Sequence, residues 1–268
     1  MSKQIIGMEK ILNTTKEKLN KLFTEKKMPE SHGLNHCLTV LGHMETAIAS
    51  GLANSSGSSL ITPQKDLTLK LAALLHEADD HKYFPDNKEF QNARMICDQS
   101  IPSEFENKTD VISEVILMIS LVSASVNGNS VPEAAKCDPT LLWPRYCDRL
   151  ESIGVIGAVR CYQYTHESGE ALMIETTPRP KTEEEVWSEV KEARWNGYQS
   201  GINSASMMDH YYDKLLHIAK FDMDFICNEY LVSEAKKRVQ PLVDVCVESG
   251  LTGVAPVESI KKLEKSLA

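Results

Sequence analysis

A chain of 268 residues, 42% hydrophobic and 25% charged, is long enough to bury its own core and has the composition of an ordinary globular protein. Its formal net charge of −9 argues against a general binder of nucleic acid polymers or of membrane surfaces, because either would need a basic face. A small phosphorylated substrate is not excluded, since a few lysines and arginines in a cleft set the local sign.

Helical periodicity runs through the chain. Ile5, Met8, Ile11 and Leu12 share one helix face, which Leu19, Leu22 and Phe23 continue. LNHCLTVLGHMETAIAS predicts a helix from about Leu34, stopped by Gly51. ANSSGSSLITPQ reads as a loop by its Ser, Gly and Pro content. DLTLKLAALLHEADDH follows as a helix whose first residue, Asp66, suits a cap. EFQNARMICDQSI and DVISEVILMISLVSAS read as helices, the second with a β-branched run that leaves a strand open. SVNGNSVPEAAKCDP is a loop. TLLWPRYCDRLESIGVIGAVRCYQYTHE reads as one long apolar helix, irregular near Pro144. ETTPRPKTEEEVW has the character of an insertion or lid. SASMMDHYYDKLLHIAKF and DFICNEYLVSEAKKRVQPLVDVCVE close the chain as two more helices. With no alternating strand set and no repeat, the expectation is an all-α single domain over 1–268. Its core spans about 30–165, and a C-terminal helical extension about 183–268 could seat a second copy as a homodimer.

Seven cysteines without a CxxC pair (Cys37, Cys97, Cys137, Cys147, Cys161, Cys227 and Cys246) read as reduced thiols. No basic-then-apolar leader opens the chain and no run matches a membrane span, so a cytoplasmic protein is expected. The N-x-S/T triplets at Asn13, Asn54 and Asn107 then read as chance.

The densest chemistry lies in LLHEADDHKYF, Leu74 to Phe84, where an apolar run turns polar at His76. The zinc-protease pattern H-E-x-x-H fails here, because the second histidine is five residues on, and at about 100° per residue His76 and His81 would diverge by roughly 140°. His36, Glu77 and Asp148 are the other candidates. A carboxylate in the apolar run YCDRLESIGVIGAV needs a partner if buried. Spacing leaves both a shared metal and mere capping open.

HGLNH, LLHEADDHKYF and YCDRLESIGVIGAVR, taken in order, resemble the metal-dependent phosphohydrolase superfamily named for its His-Asp doublet, the HD domain. Its pattern is H…HD…D on separate helices of an all-α bundle. Within it the chain is most similar to the bacterial YedJ-like group, whose last motif reads like DADRLDAIGAIG, and HYYDKLLHI resembles that group's HFYEKLL. The resemblance covers roughly residues 30 to 240. It implies His36, His76 and Asp148 as metal ligands, with Glu77 where the doublet has aspartate. Tyr146 stands where the group usually has an outer acidic residue. No histidine lies between His81 and Asp148, the interval that supplies extra ligands in two-metal members, so the resemblance implies one divalent ion, Mn²⁺, Fe²⁺ or Mg²⁺.

The implied activity is hydrolysis of a nucleotide or similar small phosphorylated metabolite, with a nucleoside triphosphate pyrophosphohydrolase the concrete form. Asp80, three residues after the doublet carboxylate, matches the acidic residue implicated in catalysis in related nucleotidases and guanosine polyphosphate hydrolases, and Glu77 serves the same centre. Lys82, Arg149 and Lys214 are candidates for substrate phosphates, each with a structural alternative as a surface or paired cation. His32, one turn before His36, could orient a ligand, although a surface histidine at a helix start is the plainer reading. His43, His166, His210 and His217 match no ligand position. Two alternatives follow from the departures. Glu77 fits a catalytically degenerate member that binds a nucleotide or protein partner without hydrolysis. A di-iron oxygenase is disfavoured by the missing histidines.

Overall fold

The computed structural model describes residues 3–29, 32–51, 61–221 and 223–267, and among them every regular element is helical. Helices of seven or more residues are α1 (Lys3–Lys26), α2 (Leu34–Ser50), α3 (Pro63–Leu75), α4 (Gln91–Ser100), α5 (Lys108–Ser120), α6 (Trp143–Leu150), α7 (Gly154–Ser168), α8 (Glu183–Glu189), α9 (Glu192–Gln199), α10 (Glu229–Thr252) and α11 (Val257–Lys265). The protein is all-α. No described helix is long and apolar enough to cross a membrane. Most of the expected loop after Gly51, with Asn54, lies outside the described residues.

The chain divides into two compact units with interleaved segments. The first comprises residues 1–123, 131–148 and 223–231, the second 124–130, 149–222 and 232–268.

In the first unit α3 packs against α1, α2 and α5, and α1 also meets α4. Leu71, Ala72, Ala73, Leu74 and Leu75 are all fully buried, so the end of α3 is apolar on every side. A helix end in that position needs polar partners for its last carbonyls, and the polar segment after Leu75 begins there. At its start, the Thr62 side chain accepts a hydrogen bond from Lys65 N at 3.2 Å, and Pro63 fills the first helical position. Thr62 is therefore the cap expected of Asp66, which instead pairs with Lys70 at 3.0 Å. The β-branched run settles as α5, burying Val111, Val115, Ile116, Met118 and Ile119 along one helical face.

The long helix expected over 140–167 is broken into a 3₁₀ turn (Pro139–Leu142), α6 and α7. Pro144 costs nothing in the first turn of α6, where no backbone N–H partner is lost. The break comes later: Ile153 is extended and Gly154 takes φ +74°. The loop expected over 125–139 carries a helical turn at Ala124–Asn127 and a 3₁₀ turn at Glu133–Ala135.

In the second unit α7 packs on α11, and α9 on a π-helical turn, Tyr211–Leu215, inside the helical run that starts at Met207. The stretch expected as a lid is built into this unit. Thr177 is buried and donates to Asp209 at 2.8 Å, and Thr182 caps α8 by accepting from Glu185 N. Asp209 also accepts from Ser206 and Arg194, so this carboxylate is fully engaged in structure.

Candidate metal centre

Four donor-bearing side chains converge in the first unit: His36 from the first turn of α2, His76 and Glu77 just past α3, and Asp148 from α6. His36 Nε2 lies 3.1 Å from His76 Nε2 and 3.2 Å from Asp148 Oδ1. His76 Nε2 is 3.6 Å from Asp148 Oδ1, and Glu77 Oε1 is 3.6 Å from both imidazole nitrogens. Donors about 2.1 Å from a common ion and at right angles to one another stand about 3 Å apart, so the set is dimensioned for one cation.

Two further observations fit the residues to an ion. His76 Nδ1 is 2.8 Å from the Ala73 carbonyl, which can only accept, so Nδ1 keeps its proton and Nε2 faces the cluster as the atom that would lend a lone pair to an ion after losing its own proton. Glu77 is 6% exposed, and its Oε2 is buried without a hydrogen-bond partner among the described residues. A buried carboxylate oxygen left unpaired is costly, and a cation is what such an atom takes.

Electrostatics agree with the geometry. Burial alone would raise the Asp148 carboxyl, but hydrogen bonds and charge from His36 and His76 hold it well below the usual carboxylate range. Burial would depress His76, yet Asp148, then Glu77 and the Ala73 carbonyl, push it up to about 9. Burial likewise works against Glu77 as an ion and is outweighed by His32 and His76, which lower it. Two carboxylates thus hold positive charge in a pocket that burial alone would keep neutral. Burial, with Glu77 and Asp148 nearby, drives the Cys37 thiol well up, and Cys37 stands outside the donor set.

The turn carrying His76 and Glu77 is fastened by Asp79. Its Oδ1 accepts from Asn87 Nδ2 at 2.6 Å and Asn92 N at 3.0 Å, and its Oδ2 from Ala93 N at 2.9 Å. Asp79 so satisfies the first N–H groups of α4 and ties the HEADD segment to that helix. His81 is exposed and stands outside the donor set, and α3, expected to run on to it, has already ended at Leu75.

His32 is half-buried and partnered. Its Nδ1 lies 2.9 Å from Glu77 Oε1, and its ring packs 5.5 Å from that of Tyr83. The one-turn spacing to His36 was the signal for this. Asp80 is half-buried and forms a second group of donors with His32 and Glu77, while its Oδ1 accepts from Lys82 N at 2.8 Å. Lys82 itself is exposed. Tyr146 is buried at 2% exposure. Arg149 and Lys214 belong to the second unit. There Arg149, 2% exposed, donates to the Gly128 carbonyl at 2.8 Å, and the half-buried Lys214 ammonium lies 5.5 Å from the Tyr198 ring centre. His43 donates to or accepts from Tyr230 at 2.6 Å, apart from the donor set.

Fold and site together define an all-α protein with a two-histidine, two-carboxylate cluster able to hold a metal ion. Uncharacterized protein L803 of Acanthamoeba polyphaga mimivirus is 36% identical over 225 residues, covering 81% of this chain and 87% of the viral protein. The chain belongs to the same family as that protein. Its fold is similar to that of a Lactobacillus plantarum protein of known crystal structure, with a TM-score of 0.54 at 16% identity, covering 92% of this chain and 96% of the other. No family model matches the chain.

Proposed function

We propose that this protein is an HD-type metal-dependent phosphohydrolase acting on a nucleotide or related small phosphorylated metabolite, with cleavage of a nucleoside triphosphate to monophosphate and pyrophosphate as its concrete reaction. The observation that carries the reading is the convergence of His36, His76, Glu77 and Asp148 from α2, the end of α3 and α6 within ligating distance of one another. A divalent ion in that cluster supplies a nucleophile from water at neutral pH and neutralises charge on the phosphoryl group. The protein's own part is positioning. His76 is locked in one tautomer by Ala73, and Glu77 is held by His32. In this reading Asp80, beside that pair, positions the attacking water. Lys82, two residues on and exposed, offers a cation to substrate phosphates. Arg149, which donates to the Gly128 carbonyl, and Lys214 are the further candidates for substrate phosphates.

The test is a mass-spectrometric product screen of the Mn²⁺-loaded protein on pooled nucleoside mono-, di- and triphosphates, with His76→Ala as control. Monophosphate plus pyrophosphate from the intact site alone is the expected result, and free nucleoside plus phosphate would make it a nucleotidase instead. No turnover of any phosphate compound, with metal-independent nucleotide binding, would sink the hydrolase and leave a degenerate binding protein. Activity created by Glu77→Asp would then show what was lost.

A further inference from the structure

The cluster has a neighbour. His32, Glu77 and Asp80 each offer a ligand atom, and these three atoms also lie within 4.8 Å of one another. We propose that this triad takes a second divalent cation, with the Glu77 carboxylate shared between the two ions; the inference rests on the metal reading of the first cluster.

Glu77 is the residue common to both groups. Its Oε1 is already placed 2.9 Å from His32 Nδ1 and 3.6 Å from both imidazoles of the first cluster, while its buried Oε2 has no hydrogen-bond partner among the described residues. Oε1 thus touches donors of both groups while Oε2 is left over, so this one carboxylate has an oxygen for each of two ions about 3.5–4 Å apart. Side-chain length matters here. Glutamate reaches about 1.5 Å further than aspartate, the length of one C–C bond. Its carboxylate can therefore serve His32 as well as the inner histidines, and an aspartate at 77 would keep the first ion and fall short of the second site. The substitution at the doublet thus acquires a physical reason.

Charge points the same way. Glu77 and Asp148 together balance one divalent ion, which leaves Asp80 as net negative charge where an anionic phosphate must approach. A second ion reverses that sign. One imidazole and two carboxylates, with His32 and Asp80 partly exposed so that water completes the shell, suit Mn²⁺ or Mg²⁺. The second set is not drawn from the stretch between His81 and Asp148, which lacks histidine. It comes from the turn before α2 and the turn after α3.

The test uses the full chain, stripped of metal and titrated with Mn²⁺, reading stoichiometry by calorimetry and electron paramagnetic resonance at low temperature. The expected result is two Mn²⁺ per chain, the second at least tenfold weaker, with the broadened signal of an exchange-coupled pair. In His32→Gln, Asp80→Asn and Glu77→Asp one Mn²⁺ remains and gives an isolated six-line spectrum, with helicity by circular dichroism unchanged. A single Mn²⁺ in the wild-type protein overturns the second site and spares the first. Two coupled ions surviving in His32→Gln and Asp80→Asn also overturn it. Binding of none removes the metal reading beneath it. The wild-type stoichiometry decides even where a variant fails to fold.

Discussion

In the metal-free protein, the positive charge that the two carboxylates demand is carried by His76. Burial works against it, since the side chain is only 3% exposed, but Asp148, Glu77 and the Ala73 carbonyl raise it from 6.5 to about 9. That difference is worth about 3 kcal/mol in favour of the folded imidazolium. Because the folded value lies above the unfolded one, this stabilisation is complete below pH 6.5 and is lost as pH rises through about 9. Asp148→Asn removes the hydrogen bond and charge that oppose burial most, so the His76 midpoint should fall to 6.5 or below. The assay is a proton NMR titration of the histidine Cε1–H resonances in chelator-treated protein, assigned with His76→Gln. A divalent ion must expel this proton, so Mn²⁺ affinity should climb about tenfold per pH unit between 6.5 and 9. A wild-type midpoint below 6.5, or one that Asp148→Asn leaves in place, would refute the reasoning. So would a Mn²⁺ affinity flat across that range.

Two further outcomes concern the scaffold. Asp79→Ala leaves Asn92 N and Ala93 N without their acceptor and frees the HEADD turn from α4, so it should cost about 2 kcal/mol in urea unfolding and weaken Mn²⁺ binding; an unchanged midpoint would deny Asp79 this part. Gly154→Ala places a side chain at φ +74°, where its Cβ would meet the Arg238 carbonyl oxygen at 2.9 Å, and should cost about 2 kcal/mol or more in the same measurement. Equal stability would mean the α6–α7 break relaxes without strain.

Much of the helical layout was legible because apolar residues recur with helical spacing. Ile11, Leu12, Leu19 and Phe23 are buried along α1 as their spacing requires, and Gly51 ends α2 with φ +72°. Misreadings arose where local pattern was silent. Residues 140–167 are apolar almost throughout, and periodicity does not report that Ile153 turns extended and Gly154 left-handed within them. Asp66 looked like a cap because it opens a periodic run, yet Thr62 with Pro63 behind it makes the stronger start. The lid-like composition of ETTPRPKTEEEVW hid Thr177, whose burial depends on Ser206 and Asp209 about thirty residues away. The interleaving of the two units likewise depends on long-range packing, about which residue spacing says nothing.

The candidate site was legible by residue type and order, not by contact. Histidine at 36, the His-Glu pair at 76 and 77, and aspartate at 148 stand out because charged groups interrupt apolar helices, where only a partner or an ion makes them tolerable. What spacing could not supply is the turn after Leu75. Asp79 fastens that turn to α4, His76 and Glu77 bring ligand atoms into one group with His36 and Asp148, and His32 comes within 2.9 Å of Glu77. What a glutamate at 77 can do therefore cannot be judged from its neighbours in sequence alone, because His32, 45 residues earlier in the chain, lies against it.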